Sequence, residues 1–173
     1  MDGPVAGSAA LGAAVLEESR RRLVTGFPAQ VRDCLARLDD AQVWWRPHEQ
    51  GNSVGNLVLH VCGSTRHFIG HIVGGSDYRR DRAAEFAERG PRPRPELLSI
   101  LDETVEEMDR VLRGLDPARL LDVREVPREP AHTVLALVER TSHHWAVHTG
   151  QIVYATKALT AGGLGELWMK TMV

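Results

Sequence analysis

Apolar residues recur every three or four positions between Pro95 and Arg113, and this spacing predicts an α-helix with one apolar face. The apolar positions are Leu97, Leu98, Leu101, Val105, Met108 and Leu112. The opposite face is acidic and is expected to meet solvent; it carries Asp102, Glu103, Glu106, Glu107 and Asp109. Proline is favoured in a first helical turn and glycine at a helix end, so Pro95 and Gly114 mark the expected ends of this helix.

Three other segments show helical spacing of their apolar residues. The first spans about residues 9–38, where Pro28 predicts a kinked helix or two collinear pieces because proline lacks a backbone donor. The other two span about residues 54–73 and 134–159. Their expected N-caps are the hydroxyl residues that precede them, Ser53 and Thr133.

Two long connections separate the predicted helices. Residues 74–94 form a connection of about 20 residues, far longer than the ~2–8 residues usual between adjacent antiparallel helices, and Ala83 to Arg89 is a candidate helical turn within it. Residues 115–131 form the second connection. We therefore expect an all-α fold, a four-helix bundle with a long crossover between its second and third helices. The domain is expected to cover residues 8–160, with tails at 1–7 and 161–173.

Composition narrows the classes of function. The chain has 173 residues, a hydrophobic content of 43% and a net charge of −2, so it lacks the basic excess of a typical nucleic-acid-binding protein. Its two cysteines, Cys34 and Cys62, do not suggest a disulfide scaffold. No apolar run of about 18 residues appears, so no membrane association is expected and a cytoplasmic location is the expectation.

The segment from Thr141 to Lys157 contains a candidate metal site. His144 and His148 are one helical turn apart on one face, and Gln151 extends the same stripe. Two imidazoles at this spacing can hold a transition metal, and a third donor must come from a facing helix. His60 is the candidate, because it lies in the middle of the second helix. Three imidazoles would leave one position open for water or substrate.

Other histidines offer alternatives. His67 and His71 form a second pair with the same spacing, but they lie near a helix end, where exposed histidines are the expected interpretation. His60 and His67 are about 10 Å apart along the axis and cannot share one ion. His143 points about 100° away from His144. A further alternative is that His144 and His148 are hydrogen-bonded in a core or a subunit interface.

Three sequence motifs resemble the DinB-like superfamily, most closely a small bacterial branch of unassigned activity. They are WWRP at residues 44–47, NSVGNLVLHVCG at 52–63 and HHWAVHTGQIVYATK at 143–157. The resemblance implies an up-down-down-up four-helix bundle that forms a homodimer. It also implies a divalent ion, zinc or nickel, held by His60, His144 and His148. His143 departs from the pattern, because many relatives have an acidic residue there.

The resemblance also suggests chemistry, since relatives include bacillithiol transferases and a mycothiol-dependent maleylpyruvate isomerase. The leading hypothesis is a metal-dependent transferase that uses a low-molecular-weight thiol as co-substrate and acts on a small-molecule electrophile. The alternatives are a metal-dependent hydrolase and a non-catalytic bundle that binds a metal or a partner. Four residues are candidates for shaping the pocket or supporting the ligands: Asn56, Gln151, Trp45 and Arg46. Cys62 is a poor nucleophile candidate because an apolar setting raises a thiol pKa.

Overall fold

The computed structural model describes residues 6–90 and 92–160. This part of the chain is predominantly helical, with two strands of two residues each. The first helix begins at Ala6, two residues inside the predicted N-terminal tail. The rest of that tail and the predicted C-terminal tail at 161–173 lie outside the described residues.

The N-terminal helical region runs without a break through three segments. Helix α1 (Ala6–Arg20) is followed by a π-helical segment (Arg21–Gly26) and by helix α2 (Phe27–Arg37). At the junction, the N–H of Phe27 donates to the carbonyl of Arg22, five residues earlier. This wider turn precedes Pro28, which lacks an N–H and clashes with a normal preceding turn. The expected interruption at Pro28, predicted as a kinked helix or two collinear pieces, is thus a π-helical junction between α1 and α2.

The segment after α2 contains a short helix that its sequence did not predict. Helix α3 (Asp40–Trp44) begins with a capping box in which Asp39 accepts from the backbone of Gln42 and the Gln42 side chain accepts from the backbone of Asp39. A five-residue helix shows too little periodicity to be recognised, but the D-x-x-Q pattern marked its start.

Helix α4 (Val54–Thr65) continues into a second π-helical segment (Arg66–Val73), so the predicted second helix has the expected length. Ser53 caps it as predicted, accepting from the backbone of Asn56. Because π-helical bonds join residues five apart, the His67 and His71 side chains do not continue the α-helical stripe that begins at His60.

The remaining elements follow in order: helix α5 (Arg82–Ala87), helix α6 (Arg94–Gly114), a 3₁₀ turn (Pro117–Arg119), strands β1 (Val123–Arg124) and β2 (His132–Thr133), and helix α7 (Val134–Leu159). The strands pair antiparallel, with Val123 opposite Thr133. The hydroxyl of Thr133 caps α7 by accepting from Ala136 N–H, as predicted. The strand pair therefore anchors the start of the helix that carries two of the site histidines.

The long helices pack around one hydrophobic core. Helix α4 contacts both α6 and α7, and α2 contacts both α7 and α6. Trp145 of α7 is fully buried in this core beside Val58, Leu101 and Ile152 among others. None of the described helices is long and apolar enough to cross a membrane. The up-down-down-up order of a four-helix bundle stays a prediction.

Candidate metal centre

Helices α4 and α7 bring three histidines together at the edge of the core. His60 lies in the buried middle of α4, and His144 and His148 lie one turn apart on α7. A hydrogen bond of 2.8 Å from Trp145 Nε1 to Thr65 Oγ1 joins the two helices next to these residues. Both groups are buried, so this bond helps to hold the register in which the histidines face one another.

The three imidazole rings form a compact cluster. Their centroids are 4.8 Å apart for His60 and His144, 4.9 Å for His60 and His148, and 4.4 Å for His144 and His148. One ring nitrogen from each residue lies within 4.8 Å of the other two. Two bonds of about 2.1 Å allow donor atoms to be at most about 4.2 Å apart, so small ring rotations would let all three reach one ion.

His60 is oriented by a carboxylate that the sequence did not reveal. Its Nδ1 lies 2.8 Å from Oε2 of Glu85, a buried residue of α5. A carboxylate can only accept, so Nδ1 of His60 carries the proton and its Nε2 is unprotonated. Arg80 in turn donates to both oxygens of Glu85, through Nε at 2.7 Å and Nη2 at 2.8 Å. A carboxylate behind a histidine is the arrangement that commonly supports a metal ligand.

The other two histidines also present nitrogen atoms toward the cluster. Nδ1 of His148 donates to Oε1 of Gln151 at 2.7 Å, which leaves Nε2 of His148 unprotonated, with its lone pair available to a metal. Nε2 of His144 is 3.0 Å from Nε2 of His60, and Nδ1 of His144 is buried without a hydrogen-bond partner among the described residues. Three imidazoles with converging nitrogens suit a borderline metal such as zinc or nickel, so the residues fit the expected ion.

Electrostatics favour the neutral forms of His144 and His148 and the charged form of Glu85. Burial, with the nearby His148 and His60 rings, lowers the pKa of His144 to about 3. Burial also lowers the pKa of His148, although the Gln151 contact opposes this effect. Burial raises the pKa of Glu85, but hydrogen bonds from His60 and Arg80 outweigh it and hold the pKa below its usual value. Neutral imidazoles and an ionised supporting carboxylate are the protonation states that metal binding requires.

Asn56 and Arg46 donate hydrogen bonds to the segment that carries Glu85, behind the histidines. The Nδ2 group of Asn56 donates to the carbonyls of Glu85 at 2.9 Å and Glu88 at 3.0 Å. Nη2 of Arg46 donates to Oδ1 of Asn56 at 2.7 Å and to the same Glu88 carbonyl at 2.6 Å. These two residues, predicted to support the site, therefore fasten the segment that carries Glu85 to the start of α4.

The two adjacent tryptophans have different surroundings. Trp45, a predicted pocket residue, is 47% exposed and is not among the residues that line the cleft beside the histidines. Trp44 is half-buried and donates from Nε1 to the Arg92 carbonyl at 2.8 Å. Its ring lies so close to Gly55 and Gly90 that a Cβ at either glycine would overlap it. Trp44 therefore holds the connection before α6 against the start of α4.

The remaining histidines stay outside the cluster. His143 is exposed, in agreement with its predicted direction away from His144. His67 and His71 are half-buried rather than exposed; their stacked rings have centroids 6.1 Å apart, and Nδ1 of His71 contacts the Ser76 carbonyl. Within residues 6–90 and 92–160, only His60, His144 and His148 form a group of three or more potential metal-binding side chains.

Sequence reasoning missed Glu85 and Arg80. Both lie in the connection between the second and third long helices, where no periodicity relates them to α4. The unusual length of that connection was the available signal, since loops of this length often shape sites. A second signal was Gly63 in the middle of α4: a Cβ there would approach Cδ of Glu85 to 2.9 Å, so the carboxylate occupies its observed position because residue 63 has no side chain.

Comparison with known proteins gives a family match and structural similarity to solved proteins. A family model described as "Protein of unknown function (DUF1572)" matches residues 11–169. The chain is also similar to a crystal structure described as that of "the conserved protein of locus from Enterococcus faecalis", with a TM-score of 0.60 and 16% identity. That match covers 86% of this chain and 95% of the other, and at this identity it supports the fold alone. No curated protein matches the sequence.

The family match extends from the first helix to beyond α7 and includes all three clustered histidines. The chain therefore belongs to the DUF1572 family.

Proposed function

We propose that this protein is a metal-dependent enzyme of the DinB-like superfamily, with His60, His144 and His148 as the ligands of a zinc or nickel ion. The observation that carries this proposal is the convergence of one nitrogen from each ring within 4.8 Å. The hydrogen bonds of His60 to Glu85 and of His148 to Gln151 support it, because each leaves Nε2 unprotonated, as a metal ligand must be. A divalent ion held by three imidazoles lowers the pKa of a thiol or water bound in its open position.

Thiol-dependent transfer is the favoured reaction. The two cysteines cannot supply the sulfur, because burial raises the pKa of Cys34 and raises that of Cys62 to about 12. The thiol would therefore be a separate co-substrate of low molecular weight, which reacts as a thiolate with an electrophilic small molecule. In this reaction the protein's own histidines orient the site, and Arg80 and Glu85 hold His60 in place.

Hydrolysis is the second candidate and needs a nucleophilic water in place of the thiol. The acidic group bonded to the histidine cluster is Glu85, and its two oxygens already accept from His60 and Arg80. Glu85 is thus poorly placed to act as a general base on water. The third candidate is a non-catalytic bundle that binds a metal or a partner protein.

Metal analysis separates these candidates from a metal-free bundle. We expect the wild-type chain, purified from metal-replete medium, to contain about one equivalent of zinc or nickel per chain. The His148→Ala variant should lose the ion. The His143→Ala variant is the matched control, since it removes an exposed histidine of the same helix, and it should keep the wild-type content. Equal metal content in both variants would exclude the ligand assignment.

A conjugation assay tests the reaction. The metal-loaded protein would be incubated with a model electrophile and with bacillithiol, mycothiol or glutathione, and product would be followed by mass spectrometry. Turnover that depends on a thiol and is lost in His148→Ala supports the transferase. Thiol-independent hydrolysis of ester or amide substrates would support the hydrolase instead. The predicted homodimer can be checked in the same preparation by light scattering.

A further inference from the structure

A cleft of about 190 Å³ lies directly beside the histidine cluster. Its wall includes His60 and His144, so a molecule in the cleft would adjoin the proposed ion. The hydroxyl residues Ser64 and Thr141 also line it. Its charged lining consists of three arginines, Arg80, Arg82 and Arg140, and none of the described residues that line it is acidic.

Of the three arginines that line the cleft, Arg82 has the fewest hydrogen bonds and ion pairs with the other described residues. Its guanidinium lies over the ring of Phe86, with 5.0 Å between Cζ and the ring centroid. Among residues 6–90 and 92–160, it has no hydrogen bond or ion pair with a carboxylate. A contact with an aromatic face orients a guanidinium without using its N–H groups. Arg82 therefore keeps its donors available for a ligand.

Arg140 is also held against an aromatic ring. Its guanidinium lies 4.2 Å from the ring centroid of Phe68, which also lines the cleft. Glu129 pairs with Arg140, at 3.2 Å between Nη2 and Oε1, so this charge is partly compensated. Arg80 is the most constrained, because its Nε and Nη2 bind Glu85. Glu85 thus pairs with Arg80 and Glu129 with Arg140, whereas no carboxylate of the described residues pairs with Arg82. The cleft therefore keeps one positive charge without a carboxylate partner, that of Arg82.

We propose that this cleft binds the anionic group of the substrate or co-substrate, a carboxylate or a phosphate, beside the three-histidine centre. Guanidinium groups present planar N–H pairs that match the oxygens of both anions. The hydroxyl of Ser64 supplies a further donor of the kind that anions use. The hydroxyl of Thr141 already donates to the Leu137 carbonyl at 2.8 Å. This inference rests on the proposed function, because it places the bound molecule next to the ion that would act on it.

The size of the cleft limits what it accepts. Pockets that enclose a whole drug-sized ligand measure about 300–1,000 Å³, whereas this cleft measures about 190 Å³. It therefore fits one charged end of a molecule rather than a complete large ligand. The rest of the molecule would extend past the exposed Arg82 toward solvent.

Calorimetric titration of the purified full-length chain tests this proposal. Inorganic phosphate and succinate would be used as separate titrants at fixed ionic strength, because salt screens such contacts. The test variant is Arg82→Gln, and the control is Arg113→Gln, which removes the same charge from an exposed arginine of α6 that pairs with Asp109. We expect at least one anion to bind, and Arg82→Gln to weaken it about tenfold or more while Arg113→Gln does not. The anion that binds more tightly identifies the class.

The zinc and nickel contents of the same preparations keep the two proposals separate. Arg82→Gln should retain the wild-type metal content, because within the described part of the chain Arg82 makes no hydrogen bond to a histidine. Anion binding that depends on Arg82 in a chain without metal would support the cleft and exclude the metal centre. Absence of binding by both anions, or equal binding by Arg82→Gln and Arg113→Gln, would overturn the cleft assignment even if the metal is present.

Discussion

Oε2 of Glu85 lies 2.8 Å from Nδ1 of His60, and each of the two residues is only 7% exposed to solvent. The two residues are 25 positions apart and belong to different helices. This bond fixes the tautomer of His60 and directs its unprotonated Nε2 toward His144 and His148. The connection between α4 and α6 is therefore part of the site, although none of its residues belongs to the histidine cluster.

Replacing Glu85 with glutamine should weaken metal binding by about 10–100-fold, the usual effect of losing a carboxylate behind a ligating histidine. The amide keeps the shape of the side chain but removes the charge that orients His60 and pairs with Arg80. Competition with a chromogenic chelator would measure the affinity. Glu106→Gln, on the exposed face of α6, is the control. Wild-type affinity in Glu85→Gln would show that this carboxylate does not support the site.

Replacing Gly63 with alanine should also weaken metal binding. Alanine has the higher helix propensity, so the weaker affinity would not result from a less stable helix. The new Cβ would approach Cδ of Glu85 to 2.9 Å, so the carboxylate must move away from His60. Gly150→Ala in α7 is a matched control, because nothing lies within 4 Å of its Cβ position. That control should gain about 0.5–1 kcal/mol in free energy of unfolding from helix propensity.

The two glycine variants can be compared by urea unfolding and by chelator competition. A wild-type metal affinity in Gly63→Ala would mean that Glu85 can shift without effect on His60. A loss of affinity in Gly150→Ala would mean that α7 tolerates no change on its outer face.

Replacing Thr65 with valine should lower the free energy of unfolding by about 1–3 kcal/mol, because Trp145 Nε1 would remain buried without an acceptor. The Thr65→Ser variant keeps the hydroxyl and should lose much less. Denaturant unfolding of the metal-free proteins would measure both. Wild-type stability in Thr65→Val would show that the hydrogen bond from Trp145 does not stabilise the fold.

The metal-free protein should lose stability as the pH falls below neutrality. The pKa of His144 is about 3 in the folded chain and about 6.5 in an unfolded chain. Between these values the unfolded chain binds a proton that the folded chain does not bind, so the free energy of unfolding falls with falling pH. The lowered pKa of His148 acts in the same direction.

Urea unfolding at pH 7.5, 6.5 and 5.5 would measure this dependence. His144→Gln should show a shallower decline than the wild type, whereas His143→Gln, altered at an exposed position, should keep the wild-type slope. Identical slopes in all three proteins would show that His144 is protonated as easily in the folded chain as in the unfolded one.

Much of the helical framework could be predicted from local patterns. The caps at Ser53 and Thr133 and the full extent of α7 follow from short-range rules, because a cap involves neighbours within one turn. His60, His144 and His148 were also predicted as a set, and the structure brings their rings together. Here the family resemblance added the pairing of two helices that periodicity alone leaves undetermined.

The supporting contacts could not be predicted in the same way. Glu85 and Arg80 meet His60 only because the connection folds back over α4, and no spacing rule relates positions so far apart in different elements. The π-helical segment at Arg66–Val73 was likewise not predicted from the sequence. Its wider turns change the direction of the His67 and His71 side chains relative to a regular α-helix. Asn56 was predicted near the site, but its actual partners are backbone carbonyls of the connection rather than a histidine.

Arg80 touches both halves of the proposed site, since it binds Glu85 behind His60 and also lines the cleft. An anion in the cleft would compete for, or reinforce, the same guanidinium that steadies the ligand of the ion. The two binding equilibria would then be linked, and the factor by which the ion changes anion affinity must equal the factor by which the anion changes ion affinity. Titrating the anion with and without the ion, and the ion with and without the anion, would therefore show whether binding at one site changes the affinity of the other.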